Sequence, residues 1–368
     1  MVLFLLSLLT AAAGAQKMTV GSLTMKDGAV YQGEIVSGKP HGKGVMTFRN
    51  GDVYKGDFVK GRRQGKGVYT FSDGERYEGD WFQNQQHGKG TFYFMNNNKY
   101  VGDWYKDYQQ GTGTMYYYNG DKYEGRWSQD KREGRGKYTF SSGQYYDGEW
   151  KNDMKNGQGV FSWGEGVYYR GNWINNERCG RGVNFYKGGD KYEGMWQGDL
   201  PHGKGIYNFF DTKDVYEGEY VEGERTGICT MRYASGDIYQ GRFYKGDRSG
   251  VGTYTWKNGD FYTGSWLKDK QNGQGRLVKR NGDRFDGGWR DGKLEGVVNI
   301  HYHDGLRFKG NFHRGVRHGQ AIEETADGKR FEGSYKNGER DGNFVEKNAR
   351  NGQIIAKGYY SEGQRFTD

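Results

Sequence analysis

A Tyr-x-Gly tripeptide, or Phe-x-Gly near the C-terminus, recurs along this sequence with a nearly constant period. Consecutive copies begin 23 residues apart, except for one spacing of 24 between Tyr192 and Tyr216. The fourteen copies begin at Tyr31, Tyr54, Tyr77, Tyr100, Tyr123, Tyr146, Tyr169, Tyr192, Tyr216, Tyr239, Tyr262, Phe285, Phe308 and Phe331. A fixed period of this length predicts a repeat protein, in which each copy is one small unit stacked on its neighbours.

Within each copy, numbered from its Tyr or Phe, the residue types indicate a β-hairpin. Position 3 is Gly in every copy, and position 5 is aromatic in all but the first, where it is Ile35. Positions 1, 3 and 5 share one face of a strand, and the Gly lets a neighbouring ring pack onto bare backbone. Position 8 is always Gly, Asn or Asp, and position 12 is always Gly. Because these residue types favour turns, each copy is predicted to be strand, turn, strand, turn.

The composition agrees with a core built from such strands. Hydrophobic residues make up only 33% of the chain, but 17% of the residues are aromatic, and disordered chains are poor in aromatics. The 66 glycines with only two prolines indicate many tight turns. The predicted fold class is therefore all-β, an elongated single-layer solenoid of stacked antiparallel β-hairpins. The expected core is represented by Tyr77, Gly79, Trp81, Tyr123, Trp127, Tyr262 and Trp266.

The pattern Tyr-x-Gly-x-Trp-x-x-Gly-x-x-x-Gly-x-Gly resembles the MORN (membrane occupation and recognition nexus) repeat. Tyr77-Glu-Gly-Asp-Trp81, followed by Gly88-Lys-Gly90, is a good example. The resemblance assigns residues 31–353 to fourteen repeats, 18–30 to an N-terminal lead-in or cap, and 354–368 to a degenerate C-terminal repeat or cap. Among MORN proteins, the chain most resembles the repeat-only members of protist cytoskeletons and the radial-spoke head components of cilia.

Residues 1–17 are a hydrophobic leader with two interpretations. Met1 to Ala15 is apolar and ends in a sequence similar to a signal-peptidase site, but it has no positive charge at its start. It is also too short to span a bilayer as a helix. The leader is therefore either a signal peptide, which implies the secretory pathway, or a start-site extension that precedes Met18.

Position 13 is basic in much of the first half of the array and uncharged in the second half. The basic residues are Lys43, Lys66, Lys89, Arg135, Arg181 and Lys204. In stacked hairpins they would form a stripe that could bind an anionic partner, either a membrane surface or an acidic protein. Acidic residues at position 4, such as Asp57 and Asp80, offer the alternative that facing charges neutralise the stripe.

The last copies depart from the consensus at position 14. Val298, Ala321 and Phe344 replace the glycine, and the Tyr that begins each of these copies becomes Phe. Capping of the array explains atypical end copies. The family resemblance implies a second role, because terminal repeats of related cytoskeletal MORN proteins mediate self-association into a homodimer or higher oligomer. Both interpretations stay open.

No catalytic, cofactor or metal site is expected. Residues 198–204 imitate a phosphate-binding loop, but Gly205 stands where Ser or Thr would bind magnesium. His301 and His303 share a predicted strand face, with His313 and His318 one copy on, but carboxylate and cysteine partners at metal-ligand spacing are missing. A nucleic-acid partner is not expected, because the rings belong to the core and acids nearly balance the bases.

The sequence therefore predicts a non-enzymatic scaffold that binds proteins. The resemblance implies a cytoplasmic setting at the cytoskeleton or cilium, with self-association through the C-terminal repeats. One alternative is a peripheral module that binds phosphoinositides or other anionic phospholipids through the basic stripe. The other is a secreted binding protein, which depends on the leader being a signal peptide.

Overall fold

The computed structural model describes residues 17–368, so the predicted leader lies outside the described residues except for Lys17. No residue of the described chain is helical. The chain divides into two compact units: the first ends at Gly164 and includes Trp173–Asn176, and the second comprises Glu165–Asn172 and Glu177–Asp368. In each unit consecutive strands form antiparallel hairpins, which confirms the predicted all-β class of stacked hairpins.

Most copies contribute a first strand of seven residues and a second strand of nine. The strands up to the middle of the chain are β1 (Thr19–Thr24), β2 (Val30–Val36), β3 (Lys39–Thr47), β4 (Val53–Val59), β5 (Arg62–Thr70), β6 (Arg76–Phe82), β7 (Gln85–Tyr93), β8 (Lys99–Tyr105), β9 (Tyr108–Tyr116), β10 (Lys122–Ser128), β11 (Lys131–Thr139), β12 (Tyr145–Lys151), β13 (Met154–Gly164), β14 (Val167–Ile174), β15 (Glu177–Phe185) and β16 (Lys191–Gln197). The remainder are β17 (Leu200–Asn208), β18 (Val215–Val221), β19 (Glu224–Arg232), β20 (Ile238–Tyr244), β21 (Asp247–Thr255), β22 (Phe261–Leu267), β23 (Lys270–Val278), β24 (Arg284–Arg290), β25 (Lys293–His301), β26 (Arg307–His313), β27 (Val316–Glu324), β28 (Lys329–Lys336), β29 (Glu339–Arg340), β30 (Gly342–Asn348), β31 (Ile354–Ser361) and β32 (Gln364–Thr367). The N-terminal lead-in thus contributes β1, which pairs with β2, and the degenerate final copy contributes β31 and β32.

A row of glycines from positions 3 and 14 crosses the strands. In the first unit Gly33 pairs with Gly44, Gly44 pairs with Gly56, and the same glycine-to-glycine pairing continues as far as Gly159. A Cβ added at Gly44 would lie 2.3 Å from the hydroxyl oxygen of Tyr31. The row is therefore glycine because the Tyr rings lie directly on its backbone.

The Tyr that begins a copy is buried and hydrogen-bonded at a β-bulge. The pairing of β10 with β11 shifts register between Gly125 and Trp127 and skips position 4. There the hydroxyl of Tyr123 donates a hydrogen bond of 3.0 Å to the carbonyl oxygen of Arg126. All eleven Tyr copies make the equivalent bond to position 4. The hydroxyl thus satisfies a carbonyl at the bulge, which explains why these copies begin with Tyr and not Phe.

The aromatic residue at position 5 connects neighbouring copies. The Trp127 ring packs edge-to-face against Tyr123 of its own copy and Tyr100 of the preceding copy, with centroid distances of 5.2 and 5.3 Å. Its indole Nε1 donates a hydrogen bond of 3.2 Å to the carbonyl oxygen of Gly113. Edge-to-face pairs contribute about 0.5–1.5 kcal/mol beyond their buried area. Alternating Tyr and position-5 rings form a seam within each unit, which is the core that the sequence predicted.

The turns use the residues that the sequence indicated. Gln129 and Asp130, at positions 7 and 8, have φ values of 49° and 64°. Positive φ at both central residues is the pattern of a type I′ hairpin turn and explains Gly, Asn or Asp at position 8. Gly42, at position 12, has a φ of 56°, which glycine adopts without strain.

In the three Phe copies, the ring and position 14 change together. A Cβ added at Gly136 would lie 2.2 Å from the Tyr123 hydroxyl, so a Tyr leaves no room for a side chain at position 14. Phe308 lacks the hydroxyl, and its copy carries Ala321 at position 14. Among the described copies that begin with Tyr, only the copy of Tyr216 departs from this rule, with Cys229 at position 14.

Candidate binding grooves

Each face of the sheet in the first unit carries a groove. The groove on the face of the Tyr and Trp rings has a volume of about 730 Å³ and is lined by positions 5, 8, 10, 16 and 18. We call it the aromatic groove and define it by the residues Gln86, Phe94, Trp104, Gln109, Tyr117 and Trp127. Arg63 and Arg132 also line it. The face of the sheet that holds the predicted core therefore also carries a groove lined by rings and polar groups.

A basic side chain at position 10 covers the position-5 ring of the next copy in much of the array. The Arg132 Cζ atom lies 4.3 Å from the ring centroid of Trp150. Its Nε donates a hydrogen bond of 3.0 Å to Asp153 Oδ1, and a terminal nitrogen donates one of 2.8 Å to the Asp153 carbonyl oxygen. Arg178 and Arg248 are held in the same way. We call this arrangement, a guanidinium between the ring at position 5 and the Asp at position 8 of the next copy, an arginine clamp.

Position 10 is not among the functional positions predicted from the sequence. Eight of the fourteen copies have a basic residue there: Arg63, Arg132, Lys155, Arg178, Arg225, Arg248, Arg317 and Arg340. That recurrence was visible in the sequence, two residues after the turn residue at position 8. The recurrence alone does not show what these basic side chains contact, because the ring and the carboxylate of each clamp belong to the following copy.

The groove on the opposite face is larger, with a volume of about 1460 Å³. We call it the glycine groove, because its floor is the backbone of the glycine row from Gly33 to Gly125 and its walls are residues at positions 2, 13 and 15. Of the predicted basic stripe, Lys43, Lys66, Lys89 and Arg135 line this groove. The structure thus places the first four stripe residues on one surface.

These lysines are paired with the position-4 acids of the next copy. Lys43 Nζ lies 2.6 Å from an Asp57 carboxylate oxygen, and equivalent pairs join Lys66 to Asp80 and Lys89 to Asp103. Partial burial opposes ionisation of Asp57, but hydrogen bonds from the Lys43 ammonium and the Lys66 backbone N–H lower the pKa of its carboxyl overall. The stripe is therefore a band of alternating charge, with the lysine side chains 70–77% exposed.

The two remaining stripe residues belong to the second unit. Arg181 and Lys204 line a groove of about 730 Å³ on the equivalent face of that unit. Lys204 is in register with Glu219, whereas Arg181 is in register with Met195. In the following copies position 13 is apolar and exposed, at Ile228 and Val251. The character of this face therefore changes along the second unit.

The residues predicted for self-association lie inside the chain. Val298, Ala321 and Phe344 are buried in a hydrophobic cluster of the second unit that also contains Phe308 and Phe331. Their side chains occupy the space above the glycine row, where the Phe rings lack a hydroxyl. These three side chains consequently present no surface to a second copy of the chain, and self-association through the terminal copies stays a prediction.

Two of the four histidines considered for a metal site are paired with single acidic residues. His303 Nδ1 lies 2.9 Å from Asp283, and His313 Nδ1 lies 3.3 Å from Glu295. Within residues 17–368 no group of three or more His, Cys, Asp or Glu residues could hold a metal ion. Nor does any helix among those residues have the length and apolar character to cross a membrane.

The fold and the grooves define a class: an array of β-hairpin repeats with a groove on each face of the sheet in its first unit. The MORN repeat model matches fourteen segments between residues 31 and 343, and the chain belongs to the MORN repeat family. The matches to the copies of Phe285 and Phe331 cover residues 285–297 and 331–343, so they stop just before Val298 and Phe344. Proteins built from this repeat generally serve as interaction scaffolds that contact proteins or membranes.

Comparison with other proteins adds little to this family assignment. No curated protein sequence matches the chain. One similar solved structure is the TCP domain of Drosophila melanogaster SAS-4 (dCPAP) in complex with a proline-rich motif of Ana2, at 17% identity and a TM-score of 0.28, over 44% of this chain and 84% of that chain. Another is the G-box domain of the microcephaly protein CPAP, at 10% identity and a TM-score of 0.23, over 60% and 96% of the two chains. At these TM-scores nothing about function follows from the likeness.

Proposed function

We propose that this MORN repeat protein is a non-enzymatic scaffold that binds a partner protein in the aromatic groove of its first unit. The observation that supports the proposal is the composition of the groove. Rings such as Phe94 and Tyr117 provide apolar contact area, and charged and amide side chains lie beside them within one concave surface. Binding sites for peptide segments combine these features, because rings supply the affinity and polar groups supply the orientation.

The cellular setting that we propose is the cytoskeleton or cilium. Support for this setting is the resemblance to repeat-only MORN proteins, which act at such structures. We further propose that the protein self-associates, so that one assembly presents several grooves. Multivalent presentation would strengthen attachment to a repetitive cytoskeletal partner without any new contact.

Site-specific photo-crosslinking in the native cell tests the groove directly. Benzoylphenylalanine replaces Phe94 in the full-length protein, and the matched control carries it at Phe82, an exposed residue on the opposite face of the sheet. We expect a crosslinked partner protein from position 94 and none, or different ones, from position 82. The same products from both positions, or partner products from position 82 alone, would contradict binding in the aromatic groove.

The second candidate function is binding to an anionic membrane through the glycine groove. The observation in its favour is the exposure of the stripe lysines, whose ammonium groups remain accessible although each is paired. Replacing Lys43, Lys66 and Lys89 with Glu should then weaken binding to liposomes that contain phosphoinositides, most strongly at low salt. Unchanged liposome binding that is also insensitive to salt would rule this candidate out.

A further inference from the structure

Two copies of the first unit carry the acid of an arginine clamp without its arginine. Asp occurs at position 8 in five copies, at Asp107, Asp130, Asp153, Asp199 and Asp269. The last three each bind an arginine from position 10 of the preceding copy. Asp107 and Asp130 instead follow copies with Gln86 and Gln109 at position 10, and neither carboxylate forms an ion pair with any described residue.

The other copies without a basic residue at position 10 show a different pattern. In each of them the next copy has Gly at position 8, in the pairs Pro40 and Gly61, Pro201 and Gly223, Gln271 and Gly292, and Leu294 and Gly315. Where position 10 of one copy is not basic, position 8 of the next copy thus has no carboxylate, except at Asp107 and Asp130. A carboxylate retained at these two positions alone suggests that the cation comes from another molecule.

The geometry at both positions matches that of a complete clamp. The backbone N–H of Gln86 donates a hydrogen bond of 2.7 Å to Asp107 Oδ1, and the N–H of Gln109 does the same to Asp130 Oδ1. In the complete clamp the N–H of Arg132 donates to Asp153 Oδ1 at 2.9 Å. The carboxylate is therefore fixed in the same way with and without the arginine.

Two further features of these positions indicate a ligand. No basic side chain of the described residues lies over the ring of Trp104 or Trp127, whereas Trp81 and Trp150 in the flanking copies are covered by Arg63 and Arg132. Gln86 and Gln109 are only 6% and 5% exposed as whole residues, and within the described part of the chain their amides make no hydrogen bond, although the amide atoms are not fully buried.

Both glutamines line the aromatic groove, so their amides are available to hydrogen-bond to a ligand that enters it. A guanidinium fits because its N–H groups can donate to the amide oxygen and the carboxylate. Trp104 and Trp127 are only 6% and 5% exposed, so the glutamine side chain must move aside before the guanidinium plane can stack on the indole.

We propose that the aromatic groove contains two incomplete arginine clamps, at Trp104 with Asp107 and at Trp127 with Asp130, which bind two arginine side chains of a partner protein. This inference rests on the proposed function and specifies the chemistry of the partner. Adjacent copies are two strands apart, so the two arginines should be about 10 Å apart. A polyproline II segment presents residues i and i+3 on one side at about 9.3 Å, which matches this separation.

A peptide titration with full-length protein tests the proposal. The probe is a fluorescein-labelled peptide, Pro-Arg-Pro-Pro-Arg-Pro, and its control has citrulline in place of both arginines, which keeps the shape and removes the charge. Fluorescence anisotropy should show at least tenfold weaker binding of the citrulline peptide. Equal affinities of the two peptides, or no measurable binding of the arginine peptide, would overturn the proposal.

A filled-clamp variant supplies the second arm. Gln86→Arg combined with Gln109→Arg provides the guanidinium from the chain itself, as Arg63 and Arg132 do in the flanking copies, so the variant should fold with an unchanged or higher melting temperature. We expect it to bind the arginine peptide at least tenfold more weakly than the wild type. The matched control is Gln271→Arg, which precedes Gly292 and should leave the affinity unchanged. Wild-type affinity of a folded double variant would refute the incomplete clamps.

The two proposals fail differently in these experiments. If crosslinks from position 94 persist at full yield in the Gln86→Arg, Gln109→Arg variant, the groove binds a protein but not through the clamps. If position 94 of the otherwise wild-type protein gives no partner, the proposed function itself fails. Reduced crosslinking in the double variant together with weaker peptide binding supports both.

Discussion

The Tyr hydroxyl leaves no room for a side chain at position 14, and the free-energy cost of placing one there can be predicted. Gly136 has no positive φ, so the cost of Gly136→Ala comes from sterics alone: the new Cβ would lie 2.2 Å from the Tyr123 hydroxyl and 2.5 Å from Cζ. Overpacking of this kind costs about 1–3 kcal/mol. Tyr123→Phe removes the donor to the Arg126 carbonyl and also costs about 1–3 kcal/mol.

Combined, the two substitutions should cost less than their sum. The Phe ring removes the atom that the new methyl group meets first, and Phe308 with Ala321 shows that such a pair packs in a folded copy. We expect a favourable coupling of about 1–2 kcal/mol between Gly136→Ala and Tyr123→Phe. The reverse cycle, with Phe308→Tyr and Ala321→Gly, should show coupling of the same sign.

Urea denaturation followed by tryptophan fluorescence measures the four free energies of unfolding in each cycle. Hydrogen exchange should accompany it, because a repeat array can unfold in parts and a single global transition cannot then be assumed. Strictly additive costs in both cycles would refute the argument that the hydroxyl determines glycine at position 14.

Other substitutions test the remaining contacts of the first unit. Arg132→Ala should destabilise the fold by about 1–3 kcal/mol, because the Arg132 side chain is only 19% exposed and lies between a ring and a carboxylate. Lys43→Ala should cost less than about 1 kcal/mol, because the Lys43 side chain is 77% exposed. The denaturation midpoints of the two variants test this difference. Trp127→Phe should cost about 1 kcal/mol because the indole hydrogen bond is lost. Hydrogen exchange should then show faster exchange of the backbone amides in the adjoining strands. The hydrogen bond from the Tyr69 hydroxyl is the main cause that lowers the pKa of the Asp52 carboxyl. The ionised carboxylate therefore stabilises the fold at pH values above its ordinary pKa of 3.8, and this stabilisation is lost as the pH falls through the lowered pKa. Asp52→Asn should therefore reduce the melting temperature at pH 6 and flatten its decline below about pH 4.

The strand pattern, the turns and the aromatic core could all be predicted from the sequence because each depends on residues within one copy. Gly, Asn or Asp at position 8 indicates a turn with positive φ, and alternate positions 1, 3 and 5 share a face whatever the neighbouring copy contains. The 23-residue period then fixes the stacking of equivalent positions, so the seam from Tyr123 to Trp127 follows without further information.

The arginine clamps could not be predicted in the same way. Arg132 and Trp150 are 18 residues apart in different copies, and their contact depends on the register between β11 and β12, which pairs Trp150 with Gly134. The terminal copies show the same limit: the sequence marks Val298 and Phe344 as exceptions, but only the packing of the Phe rings shows that they are buried. For the basic stripe both alternatives were apparent, and the distance from Lys43 to Asp57 shows that facing charges are paired.

The central claim, that this chain is a scaffold held by a partner in its aromatic groove, is tested most directly by imaging in the native cell. The full-length protein carries a small C-terminal tag and is compared with the tagged Gln86→Arg, Gln109→Arg variant expressed at the same level. We predict that the wild type is concentrated on a cilium, basal body or other cytoskeletal structure and that the variant is less concentrated there. A wild-type signal in the secretory pathway or the medium would contradict the account and support the signal-peptide interpretation of the leader.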